Sequence, residues 1–520
     1  MMPRSMSRFV ALCLVAGCLA AVFVSAGCGG KAPAPRVFVI GLDGATFDLL
    51  KPWLDKGELP NLKRLMDSGV WGELASVNPI ISPVAWTSAA TGVNPGKHGI
   101  FGFERPDPTH PGAQLLNTSE QRKAIPVWTL LGNAGYSVGV LNVPMTWPPD
   151  PVNGVMVSGF PFPESLGTSP YTSPAGLAPS LGDYPLDKMG EGLVTGAEGD
   201  MLARIVQSRD AVVRVFLDWT KTRKDDFTWA VVTATDRVQH FFWGMMDEKH
   251  PYWTPERGAE FGSAIHEFWL AMDKRLGEML AALPEDSIVL VISDHGFAPI
   301  YREMNMYNWF TGTQLDEYVK EHRVPDVFIT NGIFNYRLGT TWPMSPAYDE
   351  FRNLFEAEAL GVVDPKTGLK PVERVARREQ IFGGWQIGKA PDLVMVEAPN
   401  YYIGAGDPSK PLEPVTDLHS TSYSAYHRPN GIFVISGPNI GKGNLAGASL
   451  LDVAPTLLHL MHQPVPSEMD GRVLTAIFDP AWLSKNAPKY SDGMKILADR
   501  PERELTEEER RRLAAVPYIR

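Results

Sequence analysis

The chain has 520 residues, 44% hydrophobic and 21% charged, with 48 Gly and 45 Pro, proportions that exclude a collagen-like or wholly disordered polymer. A net charge of −11 argues against a broad nucleic-acid-binding face, so no nucleic-acid polymer is expected as a partner. The three cysteines, Cys13, Cys18 and Cys28, all lie at the amino-terminal end, which leaves the body without a disulfide framework, a thiolate metal site or a cysteine nucleophile.

Residues 1–28 read as an export leader. Arg4 and Arg8 give a positive start, residues 9–24 an apolar core, and Ser25-Ala26-Gly27 a small-residue run before Cys28. The apolar run is short for a permanent membrane span, which needs about 20 residues. The pattern resembles a bacterial lipoprotein signal. It implies a lipidated Cys28, residues 29–35 as a tether, and an exported protein anchored to the membrane at the cell envelope, periplasmic or on the outer surface. Cys18, behind Val15-Ala16-Gly17, fits the residue preference better but leaves a shorter apolar core. An uncleaved anchor and plain secretion are the other readings.

Residues 36–41 (RVFVIG) form a short apolar run ending at Gly and Asp, as a buried strand does. A helix follows at 60–68, with Leu62, Leu65 and Met66 at helical spacing. Further strands are expected at 227–233, 287–293 and 431–436, separated by helical patterns at 201–221, 259–283 and 452–461. Strands alternating with helices predict an α/β fold with a central, mostly parallel sheet covered on both faces. Ligands gather at the carboxyl ends of such strands. There the sequence places Asp43, Asp236 and Asp294-His295.

Two Pro/Gly/aromatic-rich regions, near 103–195 and 298–419, lack clean periodicity and read as cap insertions that shape a pocket. The catalytic domain then spans 36–480. Residues 481–520 form a charged extension, with a capping-box start at Thr506 and a solvated helix.

Each chemical motif has a plain structural alternative. Asp43 in Gly41-Leu42-Asp43-Gly44, and Asp294-His295-Gly296, taken alone are polar turns. Ser82, before Pro83, reads as a helix N-cap, although the same place offers free N–H groups to a phosphoryl group. Asp236 and His240 share one face of a helix and could share a metal, or could form an exposed pair. His427, just ahead of the fourth strand, is a lone histidine.

Their order and placement together resemble the alkaline phosphatase superfamily, and more closely its type I phosphodiesterase/nucleotide pyrophosphatase branch. The stretches that carry the likeness are Val39-Ile40-Gly41-Leu42-Asp43-Gly44, Ser82 through Ile100, Ser293-Asp294-His295-Gly296, Asp452 through Leu457, and Asp470-Gly471-Arg472. The resemblance implies two Zn²⁺ ions, with Mn²⁺ or Fe acceptable to such ligands. One would be held by Asp236, His240 and His427. The other would be held by Asp43, Asp294 and His295, with Ser82 as the remaining ligand and the nucleophile. It further implies a small phosphoester substrate and an exported two-metal hydrolase that cleaves phosphodiester or pyrophosphate bonds through a phosphoseryl intermediate. A phosphomonoesterase, a phosphonate-ester hydrolase or a head-group transferase could use the same residues.

Two positions depart from the branch. Ser82 stands where it carries threonine, and an ungapped count puts Phe103 where it carries a phosphoryl-contacting asparagine. The Pro and Arg that follow a sulfatase nucleophile are absent. His98, His419, His459 and His462 match no ligand position, and His419 is the one expected to line the pocket.

Overall fold

The computed structural model describes residues 34–107, 109–110, 113–163, 169–186, 196–322, 346–404, 413–419, 423–493, 495–496 and 505–514. The leader, with both candidate lipidation cysteines Cys18 and Cys28, lies outside these residues. Among the described residues no helix is long and apolar enough to cross a membrane.

In chain order the core elements are β1 (Val37–Leu42), α1 (Phe47–Asp55), α2 (Pro60–Ser68), β2 (Val70–Ala75), α3 (Ser82–Thr91), β3 (Val138–Val143), β4 (Gly154–Ser158), β5 (Thr172–Ser173), α4 (Glu198–Thr222), β6 (Phe227–Val232), α5 (Ala234–Met246), α6 (Ala264–Ala281), β7 (Ile288–Ile292), β8 (Gly296–Asn305), β9 (Asn430–Ser436), β10 (Gly443–Ser449) and α7 (Val453–Leu460). Among the described residues the largest sheet has nine strands in the order β10-β2-β9-β7-β1-β6-β3-β4-β5. The strands from β7 to β4 run parallel. The fold is therefore the expected α/β class with a mostly parallel central sheet.

The side-chain period of two explains why β1 is apolar throughout. Val37 and Val39 face one layer with Trp86 and Ala89 of α3 and Leu457 of α7. Phe38 and Ile40 face the other, with Phe216 of α4, Met272 of α6 and Leu62 of α2. Each large apolar side chain withdrawn from water adds roughly 1.5–3 kcal/mol.

One expectation is corrected and two are made more specific. Residues 103–195, read as a cap, instead supply β3, β4 and β5 of the central sheet. Gly139 and Asn142 interrupt the apolar run of β3, which hid a strand buried along its whole length. The strand expected at 431–436 forms, but β9 runs antiparallel to β7. The helix Glu507–Leu513 has its predicted capping box at Thr506 and Glu509. It keeps a solvated face at Glu507, Glu508 and Arg511 and docks the other, where Arg510 pairs with Asp107 (2.6 Å) and Leu513 is buried with Leu115 and Phe162.

Beyond β7 the chain leaves the core. β8 pairs with Asn400–Gly404 and Val415–Asp417. The ribbon Val372–Arg377 with Leu393–Glu397 and the helix Pro346–Gly361 close a separate apolar cluster around Met304, Trp309, Phe351 and Phe355. This part of 298–419, the expected cap, has an apolar core of its own.

Candidate active site

Topology gathers the site at one sheet edge. β1, β6 and β7 are parallel, so Asp43, Asp236 and Asp294-His295 emerge side by side from their carboxyl ends. β9 runs the other way, which brings its start, and His427 just before it, to the same edge. β2 is antiparallel to β9 and so ends there too, delivering the chain to Ser82 at the start of α3.

Local sequence fixes each side chain. Ile81, not Ser82, is the N-cap of α3, and no side chain caps that helix. Ser82 thus has no capping duty; its Oγ lies 3.4 Å from His295 Nε2. Gly41 lets the Trp86 ring approach β1, since a Cβ there would sit 2.5 Å from the ring. Trp86 Nε1 donates to Asp43 Oδ2 at 3.0 Å. Gly44 takes φ +69°, a left-handed turn that suits glycine, and its N–H reaches Asp294 Oδ1 at 3.4 Å. Thr235 Oγ–H donates to the Asp43 carbonyl at 2.6 Å, tying α5 to the end of β1.

The three histidines are oriented alike. Nδ1 of His240 points to the Ala425 carbonyl (2.9 Å), that of His427 to Ile80 (2.8 Å) and that of His295 to Gly296 (3.1 Å). Such bonds place the proton on Nδ1 and leave Nε2 as an electron-pair donor. All three Nε2 atoms point inward. Those of His240 and His427 are 3.0 Å apart, and Asp236 Oδ1 lies 3.4 Å and 3.3 Å from them. His295 Nε2 is 3.5 Å from Asp43 Oδ1, 3.3 Å from Asp294 Oδ2 and 4.0 Å from Asp236 Oδ1.

The donor atoms of Asp43, Asp294 and His295 lie within 4.8 Å of one another, as do those of Asp236, His295 and His427. All seven residues singled out in the sequence converge, and His295 stands between the two groups. Asp43 Oδ1, Asp236 Oδ1 and Asp294 Oδ2 are buried with no hydrogen-bond partner.

Burial, reinforced by the charges of Asp294 and Asp236, pushes the Asp43 carboxyl well above the usual carboxylate range. Burial likewise lifts Asp294 to about 7. Burial pushes Asp236 upward as well, but His240 and His427 outweigh it and hold this carboxyl well below its ordinary value. His295 is held well below the usual imidazole range by burial and then by His427. Repelling carboxylates, unpartnered oxygens and facing imidazole lone pairs are the donor set a hard-to-borderline divalent cation satisfies, so the residues fit metal ions.

The remaining histidines stand elsewhere. His98 is buried between Ser88 Oγ (2.9 Å) and the Ile100 N–H (3.1 Å). His459 and His462 pack near Trp482. His419 lies in the cap beside Glu303. Phe103 stacks near Phe160 (5.4 Å) and presents no amide. Sequence reasoning missed Trp86 as a partner of Asp43; no spacing rule reports that bond, because helix packing on β1 creates it.

The family model described as "Type I phosphodiesterase / nucleotide pyrophosphatase" matches residues 37–423. The chain belongs to that family. As a member of this family, the protein is a hydrolase of phosphoester bonds. Among solved structures it is similar to murine ectonucleotide pyrophosphatase/phosphodiesterase 5, with 16% identity and TM-score 0.52, covering 85% of this chain and 100% of that one. Phosphonoacetate hydrolase from Sinorhizobium meliloti gives 18% identity and TM-score 0.55, covering 83% and 96%. Wild-type alkaline phosphatase PafA gives 16% identity and TM-score 0.56, covering 86% and 100%. These likenesses concern the fold. A curated relative, the 2,3-bisphosphoglycerate-independent phosphoglycerate mutase of Chromohalobacter salexigens, is 38% identical over 69 residues, and the match spans 13% of each chain.

Proposed function

We propose that this family member is an exported, metal-dependent hydrolase that cleaves phosphodiester or pyrophosphate bonds of small substrates through a phosphoseryl intermediate on Ser82. The observation that carries the reading is the inward convergence of three Nε2 atoms and three unpartnered carboxylate oxygens beside Ser82 Oγ. Asp236, His240 and His427 would hold one cation, and Asp43, Asp294 and His295 the other. Zinc is the favoured ion, with Mn²⁺ or Fe as alternatives. Bound cations would lower the pKa of nearby oxygen nucleophiles and neutralise phosphoryl charge.

Ser82 Oγ, relieved of its proton, attacks phosphorus in line. The P–O bond to the leaving group breaks as the Ser82 ester forms, and the departing oxygen takes up a proton. Water then attacks the same phosphorus from the vacated side; the P–Oγ bond breaks, a proton from that water returns to Ser82 Oγ, and phosphate or a phosphomonoester leaves. Trp86 and Gly44 hold the Asp43 and Asp294 carboxylates throughout. The burial of α3 keeps Ser82 on a rigid element, where positioning is most effective. Structures of the fold with AMP or phosphonoacetate bound support small phosphorus-containing anions as ligands. Lipidation at Cys28, with Cys18 as the alternative, would tether the enzyme to the membrane at the cell envelope.

The test is Ser82→Ala assayed with bis(p-nitrophenyl) phosphate, p-nitrophenyl phosphate and p-nitrophenyl sulfate. Turnover should vanish while fold and bound metal persist. Near-wild-type hydrolysis by the variant would remove Ser82 as nucleophile. A wild-type enzyme faster on the monoester than on the diester would favour the phosphomonoesterase reading.

A further inference from the structure

Beside His427 lie three side chains that the reaction outlined above leaves unused. The Tyr426 ring stacks on the His427 ring, with centroids 4.6 Å apart and planes 12° apart, and Tyr402 packs edge-on against Tyr426 at 5.1 Å. Arg428 turns back so that Nη1 donates to the His427 carbonyl at 3.0 Å, while its Nη2 is buried without a hydrogen-bond partner. Glu397 ends the cap strand Leu393–Glu397 and buries Oε1, also unpartnered. Each charge acts on the other electrostatically, yet the orphan atoms remain unpaired. Tyr426, Arg428 and Glu397 are each partly exposed, while Arg428 Nη2 and Glu397 Oε1 themselves are buried.

A buried donor and a buried acceptor left unsatisfied are costly, and such groups persist where a ligand completes them. We propose that Tyr426, Arg428 and Glu397 form a leaving-group subsite that binds a hydroxyl-rich alcohol, a polyol or a sugar, on the His427 side of the catalytic centre. The inference rests on the phosphoester-hydrolase reading above. The chemistry selects the class. A tyrosine face covers the C–H side of a polyol, guanidinium N–H groups donate to hydroxyl oxygens, and a carboxyl group takes hydroxyl protons. The opposite charges of Arg428 and Glu397 offset each other, so the subsite gives little net attraction to a polyphosphate tail.

Two symmetrical diesters decide it, because each has one possible leaving group: bis(glyceryl) phosphate, whose leaving alcohol is glycerol, and bis(p-nitrophenyl) phosphate. Arg428→Gln and Glu397→Gln should each lower kcat/KM for the glyceryl diester about 10- to 100-fold while leaving the aryl diester within about threefold, with metal content unchanged. Glu397→Gln is nearly isosteric and guards against misfolding of the arginine variant. Equal losses on both diesters would mean that the pair only positions His427, and would overturn the subsite. So would unchanged kinetics on both, or a wild-type enzyme that cleaves the aryl diester but not the glyceryl one. A metal-loaded wild-type enzyme that cleaves neither diester would refute the diester-hydrolase reading, and the subsite with it.

Discussion

His240 Nε2 and His427 Nε2 face each other at 3.0 Å, each ring tied through Nδ1 to a backbone carbonyl. Two electron pairs at that separation repel unless a proton or a cation stands with them. The arrangement therefore stores an instability that metal binding removes. Chelation should lower Tm of the purified enzyme, and zinc should restore it, by the linkage between ligand binding and folding. An unchanged Tm in chelator would contradict this role. Under the proposed two-ion site, elemental analysis should find one ion per chain in His427→Ala against two in the wild type.

Trp86 holds one oxygen of Asp43. Its Nε1–H donates to Asp43 Oδ2 at 3.0 Å from a ring that is fully buried. Trp86→Phe keeps most of the packing and deletes the donor. Activity should fall about 10- to 100-fold, the usual effect of losing a partner that orients a metal ligand. Added metal should recover part of it. Full activity at limiting metal would show that Asp43 needs no such support.

His98 makes acid stability a test of burial. Its ring is fully enclosed, and burial followed by the Arg122 charge lowers its pKa from 6.5 to about 3. The folded value lies below the unfolded one, so the unfolded chain binds the proton more readily. Stability is complete above pH 6.5 and is lost progressively as pH falls toward 3. His98→Gln can still bridge Ser88 and the Ile100 N–H. Between pH 8 and pH 5 the variant should lose about 2 kcal/mol less stability than the wild type, measured by urea denaturation. Parallel pH profiles would refute it.

Arg122 and Asp150 form a buried ion pair at 2.5 Å, with side chains only 3% and 5% exposed, and Trp128 Nε1 also donates to Asp150 at 3.1 Å. Arg122→Met leaves the carboxylate buried without its cation. Stability should drop about 3–5 kcal/mol. Arg122→Met/Asp150→Leu should recover much of that loss, because the cost lies in the unpaired charge.

The site was more legible in the sequence than the sheet. Asp43, Asp236 and Asp294-His295 each follow an apolar run, and the rule that ligands gather at strand ends found them without any knowledge of strand order. The helix Pro60–Ser68 was legible because Pro60 starts it and Leu62, Leu65 and Met66 share one face. β2 and β10 were missed. β2 alternates buried with more exposed residues, β10 buries only Leu445 and Ala448 on either side of a register shift, and their glycines resemble those of turns. The direction of β9 was not legible, because an apolar strand carries no mark of which way its neighbour runs. Arg428 and Glu397 were invisible for another reason: 31 positions apart on different sheets, they meet only once the cap has folded.

The ladder between β8 and the short strand Ala425–Arg428 pairs Gly296 with Arg428, Phe297 with His427 and Pro299 with Ala425. The polypeptide thus departs from the catalytic edge and returns to it on adjacent rungs. Everything between Pro299 and Ala425 is an excursion with stapled ends, and lengthening such an excursion costs only about 0.6 kcal/mol per doubling. The scaffold can therefore exchange or resize that module while His427 stays in register with Phe297, two residues past His295, leaving substrate choice free to diverge around fixed chemistry.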